Sequence, residues 1–341
     1  MNLKELSKLI GMSQTTVSRA LNGYPEVSEK TRLLVQTAAI EHNYHPNTRA
    51  QGLATGKSKM IGYVLPMSSQ HEMLNPIFGD FLAGAAQTYS HKGYDSTLSL
   101  TDNDKEAEAY RDLHTKGSVD GVVVQAPRLN DPRIEILKEL QLPFVVHGRV
   151  PGDLNYPHVD VNNRRAFFHA TEFLLDLGHR RIALINGNEH LDFAQRRRAG
   201  YEEALSSHGI SPDTSLIFAD EMTEDFGYRT MTNLLDSHNP PSAALVSSLI
   251  MAIGARWAIE EKGLRLGKDF SIVIHDDDLS YLKNGGTIPV FTATRSSVRE
   301  AGRLCAEILI GCIENPSLHP QSIILEADLI VGKSTGPYRG K

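Results

Sequence analysis

The sequence predicts an all-α helix-turn-helix head joined to an α/β body of two lobes, each a parallel sheet with helices on both faces. Three observations carry this. Residues 2–21 hold two short amphipathic helices separated by a three-residue break. From residue 60 onward, short β-rich runs alternate with longer helical stretches, the pattern of parallel strands covered on both sides. That alternation restarts after Asp160, which makes two series and hence two lobes.

The head is read as Asn2–Ile10, the break Gly11-Met12-Ser13, and Gln14–Leu21. Leu3, Leu6, Leu9 and Ile10 fall at helical spacing and give one apolar stripe. Gly11 stands where the first helix stops, and Ser13 is a good N-cap for the next. In the second helix Val17, Ala20 and Leu21 turn inward, leaving Gln14, Thr15, Ser18 and Arg19 outward. Amides and a long arginine suit base edges, and small hydroxyls suit phosphates. On these residues alone, a surface helix hairpin is the plain alternative. A third helix starts at Val27-Ser28, with Ser28 as N-cap and Leu33, Leu34, Ala38 and Ile40 as its expected buried side. It ends at Asn43–Asn47, because the residue before Pro46 avoids the helical region. Thr48–Gly56 then allows one or two helical turns carrying the bulky apolar Leu53. A helix this short is marginal in water, so it is either a linker or a segment that orders on a partner, where a leucine can wedge between base steps.

In the body, strands are expected at 60–65, 95–100, 121–124 and 144–147, with helices at 76–92, 105–115 and 132–140 between them. The second series has helices at 165–177, 194–208, 226–236 and 251–262 and strands at 181–185, 216–219, 243–246 and 271–275. Val290–Ala293, Glu300–Cys312 and Ile323–Leu325 complete the sheets.

Composition agrees with this division. The net charge of −6 separates into +4 for residues 1–59 and −10 for the remainder, a basic head on an acidic body. Cys305 and Cys312, seven apart in a helical stretch, read as reduced core or near-surface thiols. No apolar run reaches the roughly 18 residues of a membrane helix, and the amphipathic, charged N-terminus is unlike a secretory signal. The expectation is a cytoplasmic, nucleoid-associated protein that does not contact membrane.

Residues 1–62 resemble the N-terminus of the LacI/GalR family of transcriptional regulators. The strings are Thr16-Val17-Ser18-Arg19-Ala20-Leu21-Asn22, Val27–Arg32, Asn43–Asn47 and the stretch through Ile61-Gly62. The resemblance implies that Gln14, Thr15 and Arg19 read bases and that Thr16, Ser18 and Asn22 contact phosphates. It makes Ala50 and Leu53 the hinge residues that enter the minor groove. Two departures stand out. Ser7 replaces the family's usual alanine, and Gly52 lies inside the hinge helix, where it costs about 1 kcal/mol against alanine. The body resembles the family's periplasmic-binding-protein-like domain through Gly178–Ala183, Arg197–Tyr201 and Ala327–Thr335. The implied domains are a head of 1–46, a hinge of 47–58 and a body of 59–341. Lobe 1 is then 59–160 with 290–321, and lobe 2 is 161–289 with 322–341. The crossings are expected near Asp160–Val161, Pro289–Val290 and Gln321–Ile323.

A ligand in such a body sits at the carboxyl ends of the strands. By position and resemblance, the candidates are Phe78, His147, Arg149, Arg197, Ser248 and Asp276, since arginine, aspartate and an aromatic ring supply what a sugar needs. Asp160 is as well placed to anchor a lobe crossing as to touch ligand. Where the family has Asn-Asp or Ser-Asp this chain has Ser248-Leu249, so the cleft is expected to be less polar there. The three aspartates 276–278 have no companion ligand set, so no metal or other cofactor is expected.

The expected function is a sequence-specific DNA-binding regulator, read as a repressor. As a homodimer it would bind a pseudo-palindromic, double-stranded operator, with a small-molecule effector in the interlobe cleft. A sugar such as an α-glucoside is the first expectation for that effector; a purine or a phosphorylated sugar stays open. Dimerisation is expected through helices 76–92 and 105–115 with parts of the second lobe, and no leucine heptad follows Lys333 to make a tetramer. A solute-binding protein of a transport system is the alternative, but it leaves residues 1–56 unexplained. An enzyme is set aside because the usual phosphate loop, nucleophile elbow and metal pair are missing from the sequence.

Overall fold

The computed structural model describes residues 1–44, 56–66, 75–102, 105–152, 154–317 and 319–340. They divide into two compact units, Met1–Lys59 with Gly117–Val119, and Met60–Lys116 with Asp120–Lys341.

The first unit contains α1 (Leu3–Leu9), α2 (Gln14–Leu21) and α3 (Glu29–Glu41). Each begins on a side-chain cap. Asn2 and Glu5 form a reciprocal capping box, Ser13 accepts from the Thr16 N–H at 3.1 Å, and Ser28 accepts from the Thr31 N–H at 3.3 Å. Gly11 takes φ +68 after α1. Leu6, Val17, Ala20, Val35, Ala38, Ala39 and Tyr44 form the core. Ser7 is buried, and its hydroxyl donates to the Leu3 carbonyl at 2.8 Å, so the departure from alanine leaves no unsatisfied group. Two expectations are corrected. Leu9 is exposed rather than part of the buried stripe, and α3 turns Leu33, Leu34 and Ile40 outward. Its inward set is 35, 38 and 39, whose small alanines let the helix approach α1 and α2 closely. The hinge segment with Thr48, Arg49, Ala50, Gly52 and Leu53 lies outside the described residues.

The second unit has two six-stranded sheets. Lobe 1 uses β1 (Met60–Pro66), β2 (Asp95–Thr101), β3 (Gly121–Gln125), β4 (Phe144–His147), β5 (His158–Val161) and β11 (Ser322–Leu325). Their order is β11-β5-β4-β3-β1-β2, parallel throughout. Lobe 2 uses β6 (Ile182–Asn186), β7 (Ile217–Ala219), β8 (Ala243–Val246), β9 (Ser271–Asp276), β10 (Thr292–Arg295) and β12 (Asp328–Ile330). Their order is β12-β10-β9-β8-β6-β7, with only β12 antiparallel. The helices are α4 (Pro76–Lys92), α5 (Glu106–Thr115), α6 (Pro132–Glu139), α7 (Asn163–Asp176), α8 (Asp192–Ser207), α9 (Glu224–Leu235), α10 (Leu249–Glu261) and α11 (Val298–Glu314).

Strand β5 was not expected, because two of its four residues, His158 and Asp160, are polar; both are buried. Two lobe crossings also move. β10 pairs with β9 of lobe 2, and α11 packs in the lobe-1 core, so the crossing falls between Arg295 and Val298 rather than at Pro289–Val290. β11 pairs with β5 of lobe 1, so the last crossing falls between Leu325 and Asp328 rather than at Gln321–Ile323. The loop after β9 is itself anchored in lobe 1. Leu279 is buried in that core, and Ser280 donates its N–H to Asp80 of α4 at 2.7 Å.

Helices in the body pack through glycine at close backbone approach. A Cβ on Gly227 of α9 would lie 2.0 Å from the Met251 carbonyl oxygen of α10, and one on Gly254 of α10 would lie 2.0 Å from that of Glu224. Cys305 is free and buried, and Cys312 is free and half-buried. Among the described residues, no helix is long and apolar enough to cross a membrane.

Candidate functional site: a polar helix face and an interlobe cleft

In the first unit, α2 buries Val17 and Ala20 and turns Gln14, Thr15 and Arg19 to solvent. Asn22, the C-cap of α2, is exposed, and Thr16 and Ser18 are half-buried at the edge of the same face. Thr16 and Ser13 hydroxyls lie 2.9 Å apart, which orients the start of the helix. Arg19 is half-exposed and 3.5 Å from Glu26, a solvent-screened pair that holds the guanidinium only weakly. The result is a short polar face, free to exchange solvent for another polar surface.

In the second unit, a cavity of about 800 Å³ lies between the two lobes at the carboxyl ends of the strands. Arg197, in the second turn of α8, forms its floor. It is 5% exposed; its Nε donates to Asn163 Oδ1 at 2.8 Å and its Nη1 to the Ser247 carbonyl at 2.7 Å. The guanidinium carbon lies 4.9 Å from the Phe193 ring centroid and 5.2 Å from that of Phe167, so two rings confine it. Burial lowers its pKa to about 10, against the pull of Asp277 and Asp160, and it stays charged at neutral pH. Ser247 is fixed in turn by donating its hydroxyl proton to Asn186 Oδ1 at 2.8 Å.

His147 ends β4 and packs at 4.7 Å on Phe81; burial pushes its pKa down to about 4, so it is neutral. Gly148 follows with φ +107, and a Cβ there would meet Pro127 Cδ at 2.6 Å. That turn delivers Arg149 to Asp160, 2.7 Å between Nε and Oδ2. Phe78, edge-on to Tyr63 at 6.0 Å, belongs to the lobe-1 core and also lines the cavity.

The structure therefore brings Phe78, His147, Arg149 and Arg197 to one cavity. Ser248 and Asp276 do not reach it. Ser248 is buried as the N-cap of α10, accepting from the Met251 N–H at 3.2 Å. Asp276, the last residue of β9, turns to Arg295 on the neighbouring strand at 2.9 Å. Its successor Asp277 lines the cavity instead. Burial opposes charge on Asp277, but His275 and Arg197 hold its carboxyl below the usual range. Leu249 is buried in the lobe-2 core, and Ile250 makes that side of the cleft apolar.

Asn163, Phe193, Gln125 and Asn188 also line the cavity and were missed. A signal existed for Phe193, which precedes Arg197 by four residues and so shares its helix face. Asn163 carried none, since its contact to Arg197 spans 34 residues. Among the described residues, no group of His, Cys, Asp or Glu has metal-binding geometry.

Comparisons with known proteins place both units. A family model described as bacterial regulatory proteins, lacI family, matches residues 2–47, and one for a periplasmic binding protein-like domain matches 171–335. The chain is 47% identical over 337 residues to the HTH-type transcriptional regulator AglR of Rhizobium meliloti (strain 1021), covering 98% of this chain and 94% of that protein. It is 29% identical to the HTH-type transcriptional regulator CelR of Thermobifida fusca over 97% of each chain. Among solved structures it resembles a transcriptional regulator CelR–cellobiose complex, with TM-score 0.72, 28% identity, and 98% and 99% of the two chains covered. It also resembles the lac repressor dimer bound to operator and the anti-inducer ONPF, with TM-score 0.83, 25% identity, and the same coverage.

Proposed function

The chain belongs to the lacI family of bacterial regulatory proteins, as a transcriptional regulator and not an enzyme, and we propose that it is a sugar-responsive repressor acting as a dimer on a pseudo-palindromic operator. Gln14, Thr15 and Arg19 read base edges in the major groove, Thr16, Ser18 and Asn22 hold phosphates, and Ala50 and Leu53 enter the minor groove. Its place of work is the cytoplasm, on the nucleoid.

Arg197 carries the effector reading. A desolvated arginine held by two acceptors and two rings is a rigid donor at the base of a cavity of ligand size. Around it are the carboxylate of Asp277, the amides of Asn163, Asn188 and Gln125, and the faces of Phe78 and Phe193. Paired donors and acceptors beside an aromatic face match a sugar ring. The structural likeness to a regulator solved with cellobiose, a β-linked glucose disaccharide, supports a saccharide in the cleft. Within that class an α-glucoside is our first choice.

The test is operator release by the full-length protein. Sugars are first screened for thermal stabilisation, and each hit is added to protein bound to its own upstream DNA. Arg197→Ala is expected to bind the operator normally and to lose the response. Arg19→Ala is expected to lose about 1–3 kcal/mol of discrimination between operator and non-operator DNA. A normal sugar response in the Arg197 variant refutes the cleft assignment, and unaltered discrimination in the Arg19 variant refutes the assignment of the reading face.

A further inference from the structure

The charge around the cleft constrains the ligand more narrowly than its shape does. Among the described lining residues, six carboxylates face two arginines. Both arginines are already compensated. Arg149 lies 2.7 Å from Asp160, and Arg197 spends two donors on Asn163 and Ser247 with Asp277 and Asp160 nearby. The two lining histidines add no positive charge, since burial lowers the pKa of His147 and of His275 alike.

The remaining carboxylates lie together at the mouth. Asp220 and Glu221 follow β7, and Glu224 and Asp225 occupy the first turn of α9, where Asp225 is already paired with Arg229 at 2.7 Å. Acidic residues are ordinary at a helix N-terminus, where they complement the helix dipole. That accounts for Glu224 and Asp225 stabilising α9, but here the same turn also borders the cavity, and Asp220 lies outside the helix altogether. Fields from like charges focus in a cleft with low-dielectric walls and change the local concentration of charged solutes.

We propose that the cleft selects uncharged sugars and turns away their phosphorylated or carboxylated forms, with Asp220 and Glu224 acting as a charge filter at its mouth. The inference rests on the saccharide reading of the cavity and adds the charge class. An incoming phosphate meets carboxylates first and then finds no uncompensated cation among the described lining residues. The filter is electrostatic, so it weakens as salt shortens the screening length, which is about 10 Å at about 0.1 M.

The experiment is isothermal titration of the full-length protein with maltose, trehalose and cellobiose, each beside its 6-phosphate and its 6-amino-6-deoxy analogue. For whichever disaccharide binds, the phosphate is expected to bind at least about tenfold more weakly than the neutral and amino forms at low salt, and the gap should shrink at about 0.5 M salt. In the double variant D220N/E224Q the ratio of phosphate to neutral affinity should rise several-fold toward unity and lose its salt dependence. That salt dependence distinguishes a charge filter from a steric one. A 6-phosphate that binds as tightly as its neutral parent, or a ratio unmoved in the variant, overturns the filter and leaves the saccharide reading intact. Failure of every disaccharide in every form overturns the glucoside reading and the filter with it.

Discussion

Asp160 and Arg149 approach to 2.7 Å, but the contact lacks hydrogen-bond geometry and each atom is otherwise without a hydrogen-bond partner. Burial therefore outweighs the attraction and raises the Asp160 pKa from 3.8 to about 6. A folded-state value above the unfolded one means that the fold favours the protonated carboxyl. The stability this group contributes is fully present below about 3.8 and is lost as pH rises through about 6. Asp160→Asn cannot ionise, so its Tm relative to the native chain should be higher at about pH 7.5 than at about pH 4.5. The same difference at both values would refute the assignment. Residue-level legibility was uneven for a related reason. Arg197 was recognisable because its local string is distinctive. Asp276 was chosen over Asp277 because nothing local shows that Arg295, on the neighbouring strand, claims the first carboxylate.

At the scale of elements, most strands and helices were legible because parallel strands are continuous apolar runs and the helices between them are capped. What the pattern hid was which sheet each late strand joins. Val290–Ala293 and Ile323–Leu325 are good strands in either lobe, and only pairing with β9 and β5 decides. The contact between α9 and α10 was also invisible, since a glycine inside a helix reads as a weakness until its neighbour is known. Gly227→Ala places a methyl against the α10 backbone and should destabilise the protein by about 1–3 kcal/mol. Gly79→Ala, in α4 with open space around it, should stabilise by about 0.5–1 kcal/mol. Chemical denaturation of the two variants checks the contrast, and a Gly227→Ala variant as stable as the native chain would show that α9 and α10 have room to separate.

Across the whole body, the lobes are joined by more than their three crossings. The loop after β3 and the loop after β6 form a short antiparallel bridge at Arg128 and Leu191. Leu129 N–H donates to the His190 carbonyl at 3.2 Å, and Asp192 N–H donates to the Pro127 carbonyl at 3.1 Å. Asp192 opens α8, the helix that carries Phe193 and Arg197, so the bridge and the cavity floor move as one piece. Facing residues in an antiparallel pair lie close enough for a disulfide. R128C/L191C, once oxidised, should slow sugar association at least about tenfold, and reduction should restore it; stopped-flow mixing measures both. Unchanged rates in the oxidised form would show that ligand enters by another route.

This bridge belongs to the protein and not to any sugar inside it. Strengthening it lowers the frequency with which the lobes part, and every arrival and every departure waits on that parting. Entry and exit then slow by the same factor, and the concentration that half-fills the site stays where it was. Sequence changes in the 127–129 and 190–192 loops can therefore set how long the regulator remembers a sugar without altering how much sugar it needs to notice.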